Sequence, residues 1–404
     1  MNEPVQSFFQ TTALDPEARA DPYPRLKALR DKCPVMRDEG AAAWIVTRYA
    51  DVRAVVNDRS LWRHPRMAEQ TSIMQAQVAP VEGLDQVYAE GESILFLDEP
   101  HHSRIRVPLA KALYARVAKS RPRIDAIVSE VLDRIAATAP FDLMTEVAIP
   151  IPILVIARIL GVDEERLSEF RRWSEDAILS LTPIRNEDET RRMIDGSNRI
   201  AEYFRELLAA RRASPRDDLI SDMATADADI SDAELNVNLS SLLVGGNLTT
   251  TDLIGNGVWL LLTHAEQLAK FKGDPSLAAS AVEEILRFES PVDATGRVLS
   301  GDREFGGCPM RDRQSLLASL RAANRDPAMF ENPDSFDIAR KNAPHVAFGG
   351  GAHICIGAPL ARMEAQSALT QIFQRFPDLK LADAEVEWRT LPLFRGLKRL
   401  MVEV

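Results

Sequence analysis

Four short stretches carry the residues that could do chemistry. The first is FGGGAHICIG, Phe348 to Gly357, which sets Cys355 among glycines just ahead of a strongly helical segment. Three successive glycines admit positive φ and let the backbone approach something flat or bulky. The helix that follows is expected to begin near Ala358, with Pro359 in its first turn. A thiolate just before a helix N-terminus gains from the macrodipole and from free N–H groups, so the surroundings favour the ionised sulfur. Such a sulfur suits an axial ligand for heme iron. The same residues would also build a glycine-rich turn around an inert buried cysteine.

The second stretch, LDEPHHSRIRVPLAKAL, puts His102 and Arg106 four apart on one helix face. His101 falls out of that register and reads as a surface residue. The third, AVEEILRFESP, puts Glu284 and Arg287 three apart, close enough to pair. An exposed pair of this kind would contribute little. The fourth, GGNLTTTD, runs from Gly245 to Asp252. It lies in the middle of an apolar pattern, where Gly costs about 1 kcal/mol against Ala and β-branched Thr is not favoured. Something must approach the backbone there, or a local bulge must be tolerated. Thr250 and Thr251 could simply bond back to helix carbonyls.

The elements that must position these stretches are mostly helical. ARVAKSRPRIDAIVSEVLDRIAATA and SNRIAEYFRELLAARRA place apolar residues at helical spacing. The stretch from Ser231 to His264 is the longest candidate, opened by a Ser231–Glu234 capping box and apolar on most sides. AWIVTRYADVRAVV reads as a strand followed by a helix, and VEWRTLPLFRGLKRLMVEV as a hairpin-like pair of short strands. There are no repeats and no linker, so one domain over residues 1–404 is expected.

Composition narrows the class. The 404 residues are 46% hydrophobic and 27% charged, ample for a sizeable core. A formal net charge of −11 argues against nucleic acid or an anionic membrane as the main partner. The N-terminus lacks a basic start followed by an apolar core, and the run VAIPIPILVIARIL is too short to span a bilayer. A cytoplasmic protein is expected. Three cysteines, Cys33, Cys308 and Cys355, with no CxxC spacing argue against a disulfide framework and against zinc.

Taken together, the stretches resemble the cytochrome P-450 family of heme-thiolate monooxygenases, in its soluble bacterial form, over essentially the full length. Phe348, Gly349, Gly351, His353, Cys355 and Gly357 stand in the family's heme-binding stretch. The resemblance implies a mainly α fold with minor β, and a long central helix crossing the heme. It implies heme b, held by Cys355 as the axial ligand. It gives His102, Arg106, Arg297 and His353 to the propionates, a role that suits Arg's bidentate fork. Glu284 and Arg287 become a buried pair locking the meander RAANRDPAMFENPDSFDIAR.

On the long helix, the family's pattern is a small residue, Gly, any residue, an acid, then Thr. Here Gly245, Gly246, Asn247, Leu248 and Thr249 occupy those positions, so the acid is missing. Gly246, Asn247 and Thr249 are the expected catalytic positions. Thr249 can hold a water, but it is not itself a proton source near neutral pH. Protons must then come through Asn247, Asp252 or ordered water, or from the substrate.

The pocket implied by the resemblance includes Leu243, Val292, Asp293, Leu393 and Phe394. Asp293 either faces a cationic or hydroxylated substrate or turns away to cap a turn. The implied reaction inserts one atom of O2 into a C–H bond of a small, mostly apolar molecule. Electrons would come from a separate ferredoxin with an NAD(P)H-dependent reductase, docked on Arg104, Lys111, Arg116 and Arg362. A monomer is expected. Peroxide-driven oxidation, desaturation, C–C coupling, or a heme-binding protein without turnover are the alternatives.

Overall fold

The computed structural model describes residue 8 and residues 14–136, 139–383 and 385–404. Residues 1–7 and 9–13, read above for a leader, lie outside the described residues, as do 137–138 and 384. The elements used below are helices α1 (Tyr23–Lys32), α2 (Tyr49–Asn57), α3 (His101–Val117), α4 (Pro150–Leu160), α5 (Asp232–Thr263), α6 (Ala278–Phe288) and α7 (Ala358–Arg375). The strands are β1 (Val35–Asp38), β2 (Ala43–Val46), β3 (Ala294–Val298), β4 (Arg303–Phe305), β5 (Cys308–Met310), β6 (Ser315–Ser319), β7 (Glu387–Trp388) and β8 (Leu397–Arg399).

Helix α5 is the axis of the molecule. Its capping box forms in both directions, Glu234 N donating to Ser231 Oγ and Ser231 N to Glu234 Oε2. It then runs 32 residues, through Gly245 and Gly246, with no bulge. The largest apolar cluster surrounds it, with Leu239, Leu243, Leu253 and Val258 meeting side chains of α3, α4, α6 and α7. A helix buried on nearly every side needs no polar stripe, which is why its sequence reads as apolar almost all round.

The sheet is small, as expected. Its order is β1-β2-β6-β3, with β2 and β6 parallel and the outer pairs antiparallel. β4 and β5 form a separate hairpin, and β7 pairs with β8 near the C-terminus. The stretch ARVAKSRPRIDAIVSEVLDRI divides into two helices. α3 ends at Val117, and a new helix starts at Arg121, with Pro122 in its first turn. Periodicity alone does not reveal that break, because the apolar spacing stays in phase across it.

Candidate functional site

The cysteine stretch forms a tight loop that delivers the chain into α7. Cys355 N donates to Phe348 O at 2.9 Å, closing the loop, and α7 starts at Ala358 with Pro359 in its first turn. Gly351 has φ +61, the left-handed region, and an added Cβ would sit 2.6 Å from Val56 O. The glycines therefore seat the loop against the end of α2. At Gly350 and Gly351 the chain itself makes the close approach. Arg362 of α7 stacks its guanidinium 4.6 Å from the centre of the Phe348 ring, fixing the other side.

Cys355 is exposed on the loop, and its sulfur feels opposing influences. Desolvation pushes the thiol above its ordinary range, while the N–H groups of Gly357 and Ala358, with Arg106 and Arg362, pull it down.

A ring of basic side chains gathers beside the loop. His102 is buried on α3, and its ring lies 4.2 Å from that of His353. Arg297 on β3 donates to Gly296 O at 2.8 Å and to Val56 O at 3.3 Å, and Arg106 donates to Ile354 O. The sequence reading missed a fifth member, Arg63. Trp62 and Val298 exchange backbone hydrogen bonds of 2.9 and 2.8 Å, which lays Arg63 alongside β3. No local pattern in LWRHPRM announces this, because the register is tertiary. Desolvation pushes Arg63 down to about 9, with Arg297 adding repulsion, and pushes Arg297 down to about 10. Desolvation followed by the fields of Arg63, His102, Arg297 and Arg106 drives His353 down to about 2. The facing acid, Asp98, already holds the backbone N–H groups of Arg63 and His64. His102 Nε2 is buried without a hydrogen-bond partner. Converging cations with an orphaned donor fit a group carrying two carboxylates, and porphyrin propionates match that chemistry.

In the middle of α5, between Leu235 and Val258, the accessible positions are Ser241, Gly245, Gly246 and Thr249, mainly a stripe at i, i+4 and i+8. Gly245 is the glycine on the open side, with nothing within 4 Å of an added Cβ, whereas a Cβ on Gly246 would meet Ile156 of α4 at 3.3 Å. Leu243 is fully buried in the core and lines no open space. Thr249 bonds back to its own helix, its hydroxyl donating to Gly245 O at 2.9 Å. That was the behaviour expected of Thr250 and Thr251, and the Thr251 hydroxyl is instead buried without a partner. Asn247 and Leu248 are buried.

Asp252, one turn beyond Thr249, is fully buried and pairs with Arg389, leaving its Oδ2 without a hydrogen bond. Burial raises its carboxyl to about 7, against the pull of Arg389.

The Glu284–Arg287 pair is buried at both ends, with bonds of 2.7 and 2.8 Å. Arg340 joins it at 3.0 Å, and Arg287 also reaches the carbonyls of Asn324, Pro333 and Ser335 in the meander. Val292 and Phe394 form an isolated bridge, and Leu393 N-terminal to it has φ +68. Asp293 does not await a cationic ligand. Its carboxylate is buried 3.6 Å from the buried Arg321, and its backbone N–H caps Leu393 O.

The expected docking cations are mostly committed. Arg104 pairs with Glu234, Arg116 with Asp222, and Arg362 with Glu283. Burial would raise Glu283, yet hydrogen bonds from His345 and Arg362 hold it at about 2. Lys111 has no ion pair among the described residues and is exposed. On the same helix Val107 is 64% exposed and Tyr114 40%, and Ile354, whose carbonyl accepts from Arg106, is 47% exposed. No described helix is long and apolar enough to cross a membrane, and no three metal-ligating side chains cluster among the described residues.

Known proteins resemble this chain over nearly its whole length. A family profile described as Cytochrome P450 matches residues 276–394. Cytochrome P450 107B1 of Saccharopolyspora erythraea is 38% identical over 96% of both chains. Nocardicin C N-oxygenase of Nocardia uniformis is also 38% identical, again over 96% of each. The solved structure of P450BioI, in complex with an acyl carrier protein ligated to hexadec-9Z-enoic acid, superposes with a TM-score of 0.88. It is 34% identical, covering 96% of this chain and 100% of that one.

Proposed function

From the premise that the chain belongs to the cytochrome P450 family and is a heme b monooxygenase, we propose that it inserts one atom of O2 into a C–H bond of a small, mostly apolar molecule. Bound heme supplies the oxygen activation. Cys355, on a loop held by Phe348, Gly349 and the end of α2, would hold the heme iron through its sulfur. His102, Arg106, Arg297, His353 and the newly found Arg63 receive the propionates. The observation that carries this assignment is the buried basic ring with its orphaned His102 Nε2.

Proton supply rests on α5. Thr249 lies on the accessible stripe and can turn its hydroxyl from Gly245 O to a water. Asp252 is the nearest acid along the helix, and a carboxyl near neutrality can both take up and release a proton. Val292, Leu393 and Phe394 form the apolar end of the substrate site. Electrons come from a ferredoxin with an NAD(P)H-dependent reductase. It docks on the apolar patch Val107, Tyr114 and Ile354, with Lys111 as its cation. The protein works as a monomer in the cytoplasm.

The test is the ferrous, carbon monoxide-bound optical spectrum. A thiolate-type band that disappears in Cys355→Ser supports the reading, and its absence from heme-supplemented wild type would sink it. Leu248 favours one second reading, peroxide-driven oxidation, which needs no delivered protons. Product formed from hydrogen peroxide without any electron donor, faster than from the donor system, would select it.

A further inference from the structure

The two cysteines away from the site converge. Cys33 caps the C-terminus of α1, and its Sγ–H donates to Val35 O at 3.7 Å. Cys308 opens β5, some 270 positions later, and its Sγ–H donates to the same oxygen at 3.8 Å. The two sulfurs are therefore no farther apart than those two spans laid end to end. The β4–β5 hairpin is pressed onto this spot. A Cβ on Gly306 would lie 2.5 Å from Val35 Cγ2, and Cys308 packs on the apolar cluster that contains Val35. Their accessibility differs in a useful way. Cys33 is exposed and Cys308 half-buried.

We propose that Cys33 and Cys308 form a reversible dithiol–disulfide pair that fastens the α1–β1 junction to the β4–β5 hairpin. The oxidant is a small-molecule disulfide. The exposed Cys33 thiolate attacks one of its sulfurs, forming a mixed disulfide and releasing one small thiol. The Cys308 thiolate then attacks the Cys33 sulfur, forming the internal bond and releasing the second thiol. Two protein S–H bonds are lost, one S–S bond is made, and the small disulfide is reduced to two thiols. Closing the bond requires rotation about χ1 to turn the sulfurs from their shared acceptor toward each other. The sequence hid the pair because the spacing between 33 and 308 resembles no disulfide pattern. The cluster beneath includes Val56, whose carbonyl seats the Cys355 loop, so the crosslink braces the floor of the site.

The experiment equilibrates the heme-loaded protein with oxidised glutathione and maps its peptides by mass spectrometry. A peptide map is needed because Cys355 is a third thiol. The expected product is a Cys33–Cys308 linked peptide, lighter by two hydrogens than the reduced pair, with a thermal midpoint several degrees higher and reversal by dithiothreitol. In Cys308→Ser, the reaction should stop at glutathione on Cys33. In Cys33→Ser, Cys308 should react several-fold more slowly than Cys33 does in wild type. Persistent glutathione on Cys33 of the wild type, or a Cys33-linked dimer, would overturn the proposal. Each variant's thermal midpoint under reducing conditions separates lost chemistry from lost folding.

Discussion

Two buried arginine clusters differ in one respect. Around Glu284, two guanidiniums share one carboxylate, and the remaining donors of Arg287 end on meander carbonyls. Around His353, Arg63 and Arg297 end on carbonyls too, but Asp98 is occupied by backbone N–H groups and Glu99 reaches only the far nitrogen of His102. The first cluster is complete within the chain. The second is short of negative charge: desolvation lowers Arg63 and Arg297 with only Asp98 opposing it, whereas Glu284 bonds directly to Arg287 and opposes its desolvation. Burial alone does not distinguish a structural arginine from a ligand-binding one. The balance of charge and donors does.

The sharpest way to break this comparison is to truncate one arginine from each cluster. Arg287→Ala leaves Glu284 buried with only Arg340, and should cost about 3–5 kcal/mol of stability, read by guanidinium unfolding. Little folded protein is expected at growth temperature. Arg297→Met removes a cation that the chain itself does not neutralise. The heme-free protein should be no less stable, while heme affinity falls about tenfold or more, the loss of one charge-assisted hydrogen bond. Equal destabilisation of the heme-free protein by both changes would erase the distinction.

The sequence showed these clusters unevenly, for physical reasons. Glu284–Arg287 and His102–Arg106 are neighbours on single helices, so their spacing was enough. Arg340 and Arg63 come from irregular segments that only tertiary contacts place, through the meander and through the Trp62–Val298 bridge. On α5 the helix was clear, but its phase was not. Gly245 and Gly246 are about a third of a turn apart, and only packing against Ile156 distinguishes them. Three of the four expected docking cations are already paired within the chain. Arg104–Glu234 and Arg362–Glu283 join residues that no local spacing connects.

A second contrast lies along α5, between Leu248, where an acid is absent, and Asp252, where one is buried. Leu248→Glu should raise product formed per reduced nicotinamide if proton delivery is limiting. Asp252→Asn should lower it several-fold and also change stability. The folded Asp252 carboxyl titrates at about 7, above its ordinary value of 3.8. The folded state therefore binds an extra proton between those values. Its contribution to stability is present below pH 4 and is lost as pH rises through 7. Unfolding of Asp252→Asn, followed from pH 4 to 8, should lack that decline. An unchanged profile would show that Arg389 keeps Asp252 ionised throughout.

The smallest effect is expected at the surface. Lys111→Glu reverses the one unpaired cation among the four expected docking positions, beside Val107, Tyr114 and Ile354. Rim charges act mainly on association rates, so reduction by ferredoxin should slow a few-fold at low salt and recover as salt rises. Arg362→Glu is a different experiment. It places a second carboxylate beside Glu283, which Arg362 helps hold at about 2, and it removes the cation stacked on Phe348. Its loss of reduction should persist at high salt and come with weaker heme binding. If both variants slow reduction equally and both recover with salt, Arg362 belongs to the docking face after all, and its ion pair opens when the donor arrives.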